Sequence, residues 1–223
     1  MIYDYNPDYK RAEQLAYEIL IQHSDGEIPI DVKKIIRKYP NIKLMSYSKF
    51  KKLFKLTHNE IVNIYGSEHG FTLYDSIKDI YLIVYNDLDD CATIRWTISH
   101  EFGHIKMGHL KRLEYDLTHY NKGEHPFEKE ANTFAKYILA PFPVIAKIKE
   151  NNKEFNIIRA DEISTIFGIN FMPSQFICDH LSKLYFYPRN TLLEMKFYQS
   201  IKSLKVGPFR DFDLSELELD FFK

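Results

Sequence analysis

The sequence predicts an α+β domain with a small antiparallel sheet, on three observations. Apolar residues recur at helical spacing near the start, two short β-rich runs follow around a polar break, and helical periodicity then resumes. The 223 residues, 45% hydrophobic and 15% aromatic, can fill one core without disulfides or structural metal.

Each element has a local reason. From about Pro7 to His23, the residues Ala12, Leu15, Ala16, Ile19 and Leu20 form one apolar stripe. "IPIDVKKIIRKYP" reads as a second helix, with Asp31 as N-cap and Pro40 as its stop. "NIKLMSY" is expected to be a strand, and the basic "SKFKKLFKL" a solvated loop. "GFTLYDS" and "DIYLIVYND" make a hairpin about Ser76–Asp79. "DDCATIRWTISHEFGHIKMGH" is a long helix capped by Asp89 or Asp90, with Ile94, Ile98, Phe102 and Ile105 inward. A polar loop leads to "PFEKEANTFAKYILAPFP", a helix opened by Pro126 and ended by Pro141. Two short helices then flank a Gly168–Pro173 turn. In the second, Phe176, Ile177, Leu181 and Leu184 are expected to face the core. The acidic tail "DFDLSELELDFFK" reads as a frayed terminus.

Charge and cysteines narrow the function. With 30 basic against 31 acidic residues the net charge is -1, so no overall positive balance argues for nucleic acid. Cys91 and Cys178 are too few for a disulfide framework or a cysteine-rich zinc module, and read as ordinary buried thiols. No apolar run reaches the roughly 20 residues of a membrane span, and the first residues lack a signal-peptide h-region. The expectation is a cytoplasmic protein with no membrane partner.

The stretch "TISHEFGHIKMGH" carries the chemistry. His100, Glu101 and His104 form H-E-x-x-H. Residues four apart share a helix face, so the two imidazoles can meet one ion while Glu101 reaches a water on it. A catalytic zinc takes three protein ligands and keeps one open position. His109 is a poor third ligand, because Gly108 and His109 fall eight and nine residues after His100. The metzincin pattern needs a glycine about seven and a histidine about ten residues on. His109 is instead expected to sit at the helix C-terminus beside Gly108. "FEKEANTFA" offers Glu128 and Glu130. Glu128 shares a face with Ala131, Asn132 and Ala135. Glu130 lies about 160° of arc away and is expected to face solvent or a basic neighbour. Glu128 is therefore the preferred third ligand. Asn132 would orient His100 or His104 through the other ring nitrogen.

The paired stretches "RWTISHEFGHIKMGH" and "EKEANTFAKYILAP" resemble the ImmA/IrrE family of metallopeptidases. Asn86, Arg95, Thr97, Ile98, Gly103, Ala131, Phe134, Ala135 and Pro141 stand at the family's positions, while Trp96 replaces a common Phe. The resemblance covers about residues 8–145. It implies a zincin-like core over residues 1–145, a bound Zn2+ and cleavage of a helix-turn-helix repressor in a phage or mobile element. Residues 146–223 read as a helical segment of unknown role, packed on that core and closer to the shorter ImmA-like type. In the mechanism it implies, zinc brings the pKa of a bound water from about 15.7 towards 7. Glu101 takes the proton and returns it to the leaving amine. A peptide would lie along the sheet edge within residues 71–85. Tyr115, His119, Tyr120 and His125 are candidates to stabilise the oxyanion. The rival is a module that keeps this fold and sequesters the repressor without cutting it.

Overall fold

The computed structural model describes residues 6–112, 125–151, 159–184, 186 and 188–204. The acidic tail, and Tyr115, His119 and Tyr120, lie outside them. The chain opens with helix α1 (Tyr9–His23), capped by the Asp8 side chain, and the short α2 (Val32–Ile36), capped by Asp31. Strand β1 (Ile42–Ser46) follows, then helices α3 (Tyr47–Phe54) and α4 (His58–Tyr65). The hairpin is β2 (Gly70–Asp75) and β3 (Ile80–Tyr85).

Two expectations are corrected here. The basic stretch is not a loop: it is α3, whose Tyr47 and Phe50, three residues apart, are buried while its lysines point outward. Ser46 caps it by accepting from the Lys49 N–H. Its charge hid a two-residue apolar anchor. The sheet is mixed rather than antiparallel. Its order is β1-β3-β2, with β1 parallel and β2 antiparallel to β3. Turn chemistry specifies the hairpin, but no local pattern says that β1 joins it from across two helices.

The sheet separates two cores. Along β3, Tyr81 and Ile83 enter the main core while Val84 enters a small aromatic cluster, the two-residue alternation of a strand. That cluster contains Tyr47, Phe50, Ile61, Phe71 and Val84.

Helix α5 (Cys91–Met107) crosses behind the sheet, and α6 (Pro126–Leu139) packs along α5 and α1. Asp90 starts α5 by accepting the Ala92 and Thr93 N–H groups, and Gly108, at φ +76, ends it. Ile98 and Phe102 are fully buried, Ile105 is buried and Ile94 partly so. Asn86 shapes the β3–α5 turn, donating to the Glu68 carbonyl and Asp89 Oδ1 and accepting from the Leu88 N–H.

Helix α7 (Phe142–Asn151) runs across residue 145, and α8 (Ala160–Phe167), α9 (Phe171–Ser182), α10 (Thr191–Lys196) and α11 (Tyr198–Ser203) follow. Ile163, Phe167, Ile177, Leu193, Phe197 and Ile201 belong to the same core as α1, α5 and α6. Arg95 on α5 donates to the Phe167 and Gly168 carbonyls at the end of α8, binding this part to the site helix. Phe176 and Cys91 depart from expectation: both are exposed, Phe176 by 64%, whereas Ile177 and Leu181 are buried. Four-residue spacing on α9 defines a narrower inward face than the apolar pattern suggested. Among the described residues no helix is long and apolar enough to cross a membrane.

Candidate metal centre

Close approach of α5 and α6 builds the site. A side chain at Gly103 would put its Cβ 3.2 Å from the Ala131 backbone and 3.1 Å from the Phe134 ring. Glycine lets the helices come this near without displacing a neighbour, whereas a methyl would push the facing atoms by a few tenths of an ångström. The contact sets His100 and His104 on α5 against Glu128 on α6.

The three side chains converge. His100 Nε2 and His104 Nε2 are 3.0 Å apart. Glu128 Oε2 lies 3.2 Å from His100 Nε2, and Oε1 lies 3.4 Å from His104 Nε2. A zinc ion with tetrahedral ligands keeps its donor atoms roughly 3.3 Å apart. Two imidazoles and a carboxylate at these separations fit such an ion.

The other ring nitrogens are engaged. His100 Nδ1 is 2.9 Å from Asn132 Oδ1, so Asn132 meets His100 rather than His104. His104 Nδ1 is 2.9 Å from His109 Nδ1, and His109 Nε2 is 2.6 Å from Glu130 Oε2.

His109 stands beside Gly108 at the end of the motif helix, as expected, in a 3-10 turn of residues His109–Lys111, and it is fully buried with its ring stacked on Phe127. Of the two settings expected for Glu130, it takes the basic neighbour, the His109 ring, and not solvent, being 0% exposed. Helical arc turns it away from Glu128, and α6 is enclosed on that side as well. The signal in the sequence was a pair: a histidine just past the motif helix and a second glutamate in "EKE".

Electrostatics follow from the crowding. Burial by itself would lower the His100 pKa, yet Glu128, Glu101 and Asn132 together raise it. Burial likewise works against the charged Glu128, but the two histidines hold its carboxyl far below the usual range. For His109 burial dominates, with the pKa pulled down to about 4 despite Glu130.

Glu101 stands beside the group, and its Oε2 accepts a 2.6 Å hydrogen bond from the Thr72 hydroxyl. Thr72 on β2 was not anticipated, since nothing in strand spacing points to it. A cavity of about 290 Å³ opens here, lined by the three candidate ligands, Glu101, Thr72 and Trp96 among others. Tyr65 and His69 also line it, and His69 Nδ1 is 2.9 Å from Asp89 Oδ2. His125 has a different place: it caps α6 by accepting from the Phe127 N–H and is not part of the cavity wall.

A helix carrying H-E-x-x-H, a carboxylate converging from the next helix and a small sheet at their side define a zincin-like metallopeptidase domain. The family model for Peptidase_M78, the IrrE N-terminal-like domain, matches residues 44–171. The chain belongs to this ImmA/IrrE family, a family of metallopeptidases. No curated protein matches it.

Proposed function

We propose that the protein is a zinc-dependent endopeptidase that cleaves a helix-turn-helix repressor at a limited site. The observation that carries the peptidase reading is the convergence of His100, His104 and Glu128 with Glu101 beside them at the cavity. In this reading those three side chains hold the ion, and Asn132 orients His100. The ion supplies a Lewis acid and an activated water. Glu101 then acts as general base and acid at its carboxylate, with Thr72 holding one oxygen and leaving the other for the water. The β2 strand is an edge of the sheet, and its Gly70, Phe71 and Thr72 line the cavity. An extended peptide can pair with that edge and bring its carbonyl to the site. The repressor as substrate, zinc as the metal, a cytoplasmic setting and a phage or mobile-element role rest on the family resemblance.

The test joins metal content to cleavage. Elemental mass spectrometry of the purified protein should give about one zinc per chain. The wild type should cut a helix-turn-helix repressor, sought first among neighbouring genes, and Glu101→Gln should keep zinc and lose cleavage. Repression relieved equally by Glu101→Gln would favour sequestration without cutting.

A further inference from the structure

His109 and Glu130 are both fully buried, and the fold places them behind His104 rather than in the cavity. A buried carboxylate and imidazole are costly unless their hydrogen bonds are met. Glu130 Oε1 accepts the Asp8 N–H at 2.6 Å, and its Oε2 lies 2.6 Å from His109 Nε2.

The direction of each bond follows from the one before. With Glu130 ionised, its carboxylate only accepts, and the proton on that link then belongs to His109 Nε2. A neutral ring protonated there presents a lone pair at Nδ1. The proton between the two histidines therefore sits on His104 Nδ1. That leaves the lone pair of His104 on Nε2, the nitrogen facing His100 and Glu128.

We propose that Glu130 and His109 are positioning residues: a buried hydrogen-bonded relay that sets the tautomer and ring orientation of His104 for metal binding, anchored at its far end by the Asp8 N–H ahead of α1. The proposal rests on the metal-site reading above. The two histidines of the motif are thus held differently, His100 by one amide oxygen and His104 through a second imidazole to a carboxylate.

The relay makes a prediction that packing alone does not. Glu130→Gln keeps the shape, but an amide that accepts the Asp8 N–H with its oxygen turns its NH2 towards His109. That reverses every link and puts the His104 proton on Nε2. His109→Phe keeps the ring stacked on Phe127 and removes both bonds. Zinc affinity of the full chain would be measured by chelator competition. Nitrogen-15 NMR of the metal-free protein at mildly alkaline pH would report the His104 tautomer. The expected result is roughly 10–100-fold weaker zinc binding in both variants. The metal-free wild type should show the Nδ1–H tautomer at His104, and Glu130→Gln the Nε2–H tautomer. Wild-type affinity in a folded variant, or an unchanged tautomer in Glu130→Gln, would overturn the relay. Should His109→Phe fail to fold, Glu130→Gln carries the test. A wild type that takes up no zinc would refute the metal reading, while the tautomer would still decide the relay.

Discussion

The seam between α5 and α6 and the aromatic cluster across the sheet are both buried, but they are filled by opposite means. The seam holds His104, His109 and Glu130, each almost or fully inaccessible and each bonded to another polar group. The cluster holds rings that meet mostly edge-on or tilted, such as Phe50 on Tyr65 and Phe71 at centroid distances of 5.7 and 5.5 Å. Polar burial is directional, so removing one partner strands the next. Apolar burial is a matter of volume and area. The seam should therefore govern metal and chemistry, and the cluster should govern stability.

Substitutions can separate the two. The largest effect is expected from Glu101→Gln, with cleavage falling about 10²–10⁴-fold at unchanged metal content, read by a repressor cleavage assay and elemental analysis. Phe50→Ala should cost about 3–5 kcal/mol in urea unfolding while the folded protein keeps its metal affinity. A shared loss of metal affinity would show that the two regions are coupled through the sheet. Stripping the ion with a chelator should lower stability by about 2.7 kcal/mol relative to protein held at free metal 100 times the Kd. The same difference should persist in Phe50→Ala, since the ion acts on the seam. Gly103→Ala should cost about 1–3 kcal/mol and also weaken metal binding, because the added methyl meets the Ala131 backbone and pushes Glu128 from the histidines. The smallest effect is the loss of the α5 cap in Asp90→Ala, about 1 kcal/mol in unfolding with metal affinity intact.

Much of this was legible in the chain. The helices α1, α5 and α6 carry long apolar periodicities and explicit caps, and the hairpin is bounded by a polar turn, so each could be placed from its own residues. The H-E-x-x-H spacing puts two imidazoles on one face by helix geometry alone, and Glu128 could be preferred over Glu130 by its shared face with the alanines. Helix α3 was hidden because lysines outnumber its two anchors. The parallel partner of β3 was hidden because strand pairing across two helices leaves no local mark.

The metal-facing pattern, the main helices and the hairpin are local: spacing of 3.6 or 2, a cap, a glycine stop. Interactions between distant segments are of another kind. That Thr72 holds Glu101, that Glu130 is enclosed, and that His109 backs His104 depend on which elements stack and how closely. The first depends on β2 meeting α5 closely at Gly70 and Thr97, and the others on packing at Gly103 and Ala131 and on the turn after Gly108, where the chain folds back on the helix it has just left. A side chain's partner across such a contact is a property of the packed whole, because no neighbour in sequence constrains it.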